Sequence, residues 1–235
     1  MSNVNKSLLI LHGWQSSKEK WAKVKKEIEK QGIKVIAPDL PGFKKELDKP
    51  WDLDNYLEWL EMFVEKNSLK LNNGFYLLGH SFGGRIALKF ARKYPEALKG
   101  LILVSPAGTR KKTNPMIKIL ASIAGFFSFM PGYELLRKIF YFKILRKGDY
   151  FKASGNLKET FKKVVSEDLS YIFEYISTPT LLIWGEKDDY TPIEQGYLMN
   201  KKISNSKMEI LKGLSHTPYL ENPELLAEKI IGFIK

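Results

Sequence analysis

The chain has 235 residues, 44% of them hydrophobic and 27% charged. That is the composition of a single globular domain with room for an insertion, and it excludes disordered, collagen-like and coiled-coil classes. The absence of cysteine removes disulfides, thiolate metal sites, iron–sulfur clusters and a cysteine nucleophile. With three histidines (His12, His80, His216), none at helical zinc-protease spacing, no metal and no cofactor are expected. The net charge of +12 comes mostly from lysines interleaved with glutamate, as along Lys18, Lys20, Lys23, Lys25, Lys26 and Lys30. This pattern describes a solvated surface better than a nucleic-acid footprint.

Taken in order, the apolar run Leu8–Leu11 predicts a buried strand. It is too short for the apolar core of a secretory leader, so a cytoplasmic protein is expected. A helix is predicted over Lys18–Gln31, a strand over Val35–Ala37, and a helix over Asp52–Lys66 with Tyr56, Leu60, Phe63 and Val64 on one face. The strand Phe75–Leu78 leads into a helix over Phe82–Tyr94 that Pro95 stops, followed by the strand Leu101–Val104. Strands at Leu181–Trp184 and Met208–Leu211 precede a last helix with Asn222 as N-cap and Pro223 at its first position. Strands alternating with helices imply an α/β fold around a mostly parallel sheet.

The alternation breaks once. Some seventy residues between Ser105 and Thr180 hold helical patterns and no convincing strand, so 107–177 reads as an inserted helical cap and 1–106 with 178–235 as the core. Its first helix, Pro115–Met130, is apolar on most sides but interrupted by Lys118 and short of a membrane span; Tyr133–Leu145 follows. The insertion carries 13 Lys and Arg against 6 Asp and Glu, hence +7 of the total charge. Its aromatic residues, among them Phe126, Phe127 and Phe129, suit either a core or the wall of an apolar pocket.

Gly79-His80-Ser81-Phe82-Gly83 follows a buried strand and opens a helix. G-x-S-x-G is weak evidence alone but meaningful in that setting, where a sharp turn lifts the serine and the helix N-terminus offers free N–H groups to an oxyanion. The flanking glycines suit positions where a Cβ would meet backbone. A serine hydroxyl needs a base, and the base a carboxylate. Both stand downstream: Asp188 or Asp189 after the strand Leu181–Trp184, and His216 after the strand Met208–Leu211. His12 and His80 read as structural.

Together with this elbow, Leu11-His12-Gly13-Trp14, Ala37-Pro38-Asp39-Leu40-Pro41-Gly42, Trp184-Gly185-Glu186-Lys187-Asp188 and Gly213-Leu214-Ser215-His216 resemble, in order and spacing, the capped serine hydrolases of the α/β-hydrolase superfamily. The resemblance covers nearly the whole chain. It implies that Ser81 is the nucleophile, His216 the general base and then acid, and Asp188 the orienting carboxylate, with Asp189 its rival. The oxyanion hole would be the backbone N–H groups of Trp14 and Phe82, and Asp39 would steady its loop. Two departures stand out: the family's first two antiparallel strands are missing, leaving a sheet of about six, and Lys44 follows Gly42-Phe43 where the family often has glycine.

The implied activity is hydrolysis of carboxylic esters through an acyl-enzyme. Carbon–carbon bond hydrolases, thioesterases and lactonases share the triad and form the alternative. Dehalogenase and epoxide hydrolase branches carry a carboxylate where Ser81 stands, and an aminopeptidase would want a less basic cap. A non-catalytic binding module on this scaffold would be expected to lack a triad member, and none is missing. The expected partner is a small-molecule ester or acyl substrate and not nucleic acid; the basic, apolar insertion is also compatible with peripheral contact to an anionic membrane.

Overall fold

A computed structural model describes residues 6–69, 74–109 and 155–235. In chain order the elements are β1 (Ser7–Leu11), α1 (Ala22–Glu29), β2 (Lys34–Ile36), α2 (Leu53–Lys66), β3 (Phe75–His80), α3 (Phe82–Lys93), β4 (Leu98–Val104), α4 (Gly155–Ser166), β5 (Thr180–Gly185), α5 (Ile193–Lys202), β6 (Ser206–Leu211), α6 (Pro218–Glu221) and α7 (Pro223–Ile234). Short 3₁₀ helices occupy Lys18–Trp21, Pro95–Ala97 and Ser170–Tyr175. The expected cap helices Pro115–Met130 and Tyr133–Leu145 lie outside the described residues.

The six strands form one sheet in the order β2-β1-β3-β4-β5-β6, every neighbouring pair parallel. Parallel strands need helical crossovers on both faces, which buries both faces of the central strands and accounts for their unbroken Leu, Ile and Val. Successive side chains serve opposite cores. Leu8, Ile10, Leu78, Ile102, Val104, Leu181 and Ile183 pack with Val24 and Ile28 of α1 and Leu226 and Ile230 of α7. Leu9, Leu11, Leu77, Leu101, Leu103, Leu182 and Trp184 pack with Leu60 of α2, Ile86 and Phe90 of α3 and Met199 of α5.

Helix starts follow their caps. Asp52 accepts from Asp54 N at 3.0 Å and Asn55 N at 3.1 Å, and Asn55 Oδ1 accepts in return from Asp52 N. Asn222 Oδ1 accepts from Leu225 N at 3.0 Å, with Pro223 at the first helical position as expected. Three elements differ from the sequence reading. Lys18–Gln31 divides into a 3₁₀ turn and α1. β4 begins at Leu98, because the Lys99-Gly100 interruption of the apolar run lies inside the strand, where Gly100 admits the ring of Tyr76. α5 was not anticipated: only Gly196 and Met199 are buried along it, too thin an apolar face to stand out.

Candidate active site

Because every strand runs the same way, the C-terminal ends of β1, β3, β5 and β6 share one edge of the sheet, the edge at which such folds bind ligands. The motif residues all fall there. Ser81 sits between β3 and α3 with φ 50° and ψ −111°, a backbone state that a residue with a Cβ adopts only when its surroundings impose it. Three hydrogen bonds impose it: Ser81 N–H donates to Val104 O at 3.1 Å, and Ser81 O accepts from Gly84 N and Ala107 N at 3.0 and 3.1 Å. A Cβ on Gly79 would lie 2.5 Å from Gly83 O, and one on Gly83 would lie 2.7 Å from His12 O and closer still to Leu11 O. α3 can therefore pack on the ends of β1 and β3 only with glycine at both positions.

Phe82 opens α3, so its N–H has no acceptor one turn back. The loop after β1 comes up beside it. Gly13 lies so close to the elbow that a Cβ there would be 3.3 Å from Ser81 Cβ, which brings the Trp14 backbone alongside. The Trp14 indole meets Phe43, Phe82 and Phe161 edge-on at 5.0, 5.2 and 5.0 Å between centroids, joining the loop after β2 and α4 to the elbow.

Asp188 follows β5 and His216 follows β6, and the two meet: His216 Nδ1 donates to Asp188 Oδ2 at 2.9 Å. The Asp188 side chain is enclosed, and the His216 ring is 16% exposed. Oδ1 of Asp188 accepts from Tyr190 N and Thr191 N, both at 2.9 Å, and Oδ2 also accepts from Thr191 Oγ1 at 2.8 Å. Burial pushes this carboxyl up, but the hydrogen bond and charge of His216, with the Thr191 N–H, outweigh it and hold the group at about 2. With a proton on Nδ1, the imidazole keeps Nε2 as a bare lone pair. The hydrogen bonds of His216 run to Asp188, to Thr191 and, from its carbonyl, to His80; none reaches Ser81 among the described residues. Asp189, the rival carboxylate, is exposed, whereas Asp188 is buried.

The other histidines have defined places. His12 Nε2 accepts from Leu40 N at 2.9 Å, so Nδ1 carries the proton and donates to Gly13 O at 2.8 Å. Burial lowers its pKa. His80 Nε2 donates to His216 O at 2.9 Å. Asp39 accepts from Lys18 N at 3.1 Å and pairs with Lys44 at 3.0 Å; Lys44 also reaches Glu19 at 2.6 Å, so the departure at Lys44 adds a tie to this loop.

Three contributors escaped the sequence reading. Thr191 completes the shell of Asp188, and the only trace of it is the spacing Asp188-x-x-Thr191 of a side chain capping its own turn. Glu221 on α6 accepts from Ser215 N at 2.9 Å and Ser215 Oγ at 2.6 Å, bracing the histidine loop from one side. Arg85, buried on α3, donates to Ala107 O at 2.6 Å and to Glu167 O, tying both ends of the insertion to the helix behind Ser81. Among the described residues no group of three or more His, Cys, Asp or Glu could hold a metal, and no helix is long and apolar enough to cross a membrane.

A parallel sheet carrying a strained serine elbow, and a buried carboxylate bonded to an imidazole at the same edge, defines a class. The family model described as alpha/beta hydrolase fold matches residues 6–134, and the chain belongs to that family and is an α/β-hydrolase enzyme. It is similar to human monoacylglycerol lipase ABHD6, at 29% identity over 97% of this chain and 75% of that one. It is also similar to the pimeloyl-[acyl-carrier protein] methyl ester esterase of Wigglesworthia glossinidia brevipalpis, at 30% identity over 97% and 93% of the two chains. Among solved structures, an esterase from Exiguobacterium antarcticum shares the fold with a TM-score of 0.76, at 21% identity over 98% and 92%.

Proposed function

We propose that the chain is a serine hydrolase of carboxylic esters, with Ser81 as nucleophile, His216 as base and then acid, and Asp188 as the carboxylate that holds His216. The observation that carries this reading is the 2.9 Å bond between the enclosed Asp188 and His216 at the strand edge that also bears Ser81. Ser81 Oγ attacks the ester carbonyl carbon as its proton passes to His216 Nε2, and the carbonyl oxygen becomes an oxyanion received by the Trp14 and Phe82 N–H groups. Collapse expels the alcohol, protonated by His216; water, deprotonated by the same nitrogen, then releases the acid.

The segment 107–177 is an insertion between β4 and β5, much of it outside the described residues, and the substrate is a small acyl compound. By name, both curated relatives act on ester or glyceride substrates, which favours an ester over carbon–carbon, thioester or lactone bonds as the target. A fluorophosphonate should add its mass to the Ser81 peptide of folded protein. Ser81→Ala should abolish hydrolysis of p-nitrophenyl esters at an unchanged unfolding midpoint; undiminished turnover in that variant overturns the assignment. Rates on esters, thioesters, lactones and diketone acids, compared on one preparation, test the bond type.

A further inference from the structure

The residue before the nucleophile is a histidine whose two nitrogens are treated very differently. The His80 side chain packs against Gly13 and the His216 loop and is closed to solvent. The ring is 2% exposed and sits among Trp21, Tyr219 and His216, at centroid distances of 5.9, 4.9 and 4.9 Å. Nε2 donates to the backbone carbonyl of His216 at 2.9 Å. Nδ1 is buried with no hydrogen-bond partner among the described residues, and it faces Gly13, where a Cβ would come within 2.7 Å of it.

An apolar residue would fill this space without burying an unpaired nitrogen, which carries a desolvation cost. Packing alone therefore does not account for an imidazole here; its one productive polar contact is the bond to the base's own backbone.

We propose that His80 is a positioning residue, a wedge between the loop after β1 and the carbonyl of His216 that sets the height of the base over Ser81. The proposal rests on the ester-hydrolase reading above. One ring then ties three parts of the centre together: Gly13 beside the oxyanion N–H groups, the elbow through the His80 backbone, and His216 through its carbonyl. Asp188 fixes how the His216 ring rotates, Glu221 braces Ser215, and His80 holds the main chain of His216 itself.

The wedge also has to stay uncharged, since an imidazolium 4.9 Å from His216 would oppose protonation of the base during acyl transfer. Burial, followed by the charge of His216, pushes His80 down to about 3, against the hydrogen bond to the His216 carbonyl and the charge of Asp188, with His12 acting in the same sense as burial. The bond therefore persists with a neutral ring across the range in which a histidine base works.

The test uses the full chain and p-nitrophenyl butyrate. His80→Leu removes the donor, whereas His80→Gln puts an amide N–H near the position of Nε2. Because displacing a reacting group by about 1 Å costs on the order of 10²-fold, His80→Leu should lose roughly 10- to 100-fold in kcat with KM within about twofold of the parent. His80→Gln should recover most of that loss. Fluorophosphonate labelling of Ser81 should slow in parallel, and the downfield proton signal of His216 Nδ1 should shift or broaden in His80→Leu alone. If His80→Leu fails to fold, His80→Asn, whose shorter amide reaches only the Nδ1 position, should fall well below His80→Gln in kcat at a similar unfolding midpoint. Parental kcat in folded His80→Leu, or equal kcat in the Asn and Gln variants, overturns the proposal. Turnover that survives Ser81→Ala would instead overturn the reading beneath it.

Discussion

Replacing Asp188 with asparagine keeps the shape of the side chain and reverses the two hydrogen bonds that Oδ2 accepts, from His216 Nδ1 and Thr191 Oγ1. In the native site the carboxylate accepts four: Tyr190 N, Thr191 N, Thr191 Oγ1 and His216 Nδ1. The two backbone N–H groups still need an oxygen, so the asparagine carbonyl takes the place of Oδ1 and its amide faces His216. A donor opposite Nδ1 forces that nitrogen to accept and the ring proton moves to Nε2, so that in the proposed mechanism His216 would meet the Ser81 hydroxyl with an N–H where a base needs a lone pair. Little else changes: the Thr191 hydroxyl is 3.3 Å from Ser105 O and can turn its proton there. Exchanging one charge-assisted bond for a neutral one costs about 1–2 kcal/mol, a few degrees in Tm for a chain of this size. The catalytic cost is far larger, since the same substitution in an unrelated triad lowers kcat by about 10⁴. We therefore expect Asp188→Asn to lower kcat on p-nitrophenyl butyrate by about 10³- to 10⁴-fold with KM nearly unchanged, measured well below the midpoint of a thermal melt run on the same sample. Asp189→Asn, altering an exposed turn residue, should stay within about twofold, a surface substitution being worth roughly 0.5 kcal/mol or less. Parental turnover in Asp188→Asn, or a larger loss in Asp189→Asn, refutes the reasoning.

Glycine replacements should separate by location. Gly83→Ala drives a methyl against Leu11 O and His12 O, so α3 must move off the end of β1; that should cost about 1–3 kcal/mol and reduce turnover at temperatures where the variant is still folded. Gly232→Ala, exposed in the last turn of α7 with open space around it, should instead raise stability by a few tenths of a kcal/mol, up to about 1 kcal/mol, with turnover unchanged. Urea titrations and initial rates on both variants check this pair. Stability should also fall on acidification in two stages. His80, held down to about 3 against an ordinary 6.5, stays neutral in the folded chain while its unfolded counterpart takes a proton, so the loss begins as pH drops through 6.5 and is complete near 3. Asp188, about 2 against 3.8, keeps its charge when folded, so its contribution of about 2 kcal/mol is present above 3.8 and lost on the way down to 2. Urea midpoints measured from pH 7 to 2 should show His80→Gln flattening the upper stage and Asp188→Asn the lower; an unaltered profile in both variants refutes the assignment.

What could be read from the sequence, and what could not, follows from how far each residue's constraint reaches along the chain. The elbow was legible because its demands are local. Gly79 and Gly83 stand two residues either side of Ser81, and the contacts that exclude a Cβ at Gly79 come from within the elbow and the first turns of α3. The strands were legible because burial on both faces leaves an apolar run. Asp188 and Asp189 were not separable by residue type. What divides them is which one turns inward to accept Tyr190 N and Thr191 N, and a turn has no period from which to read that. α5 was missed for a related reason, since a helix with two buried residues leaves almost no pattern. Contacts between distant parts of the chain leave still less. Thr191 and Glu221 are ordinary polar residues bonded to near neighbours, Asp188 and Ser215, and their bearing on His216 exists only once β5 and β6 have brought Asp188 and His216 together. His80 lies between these extremes. Its place beside Ser81 is plain in the motif, but its acceptor is 136 residues away, and nothing near position 80 announces it. A residue constrained by its own backbone, as Ser81 is, thus leaves a signature in sequence, whereas the residues that hold His216 leave almost none. Substitutions of that second kind, at His80, Thr191 and Glu221, are therefore where turnover should respond most out of proportion to any motif.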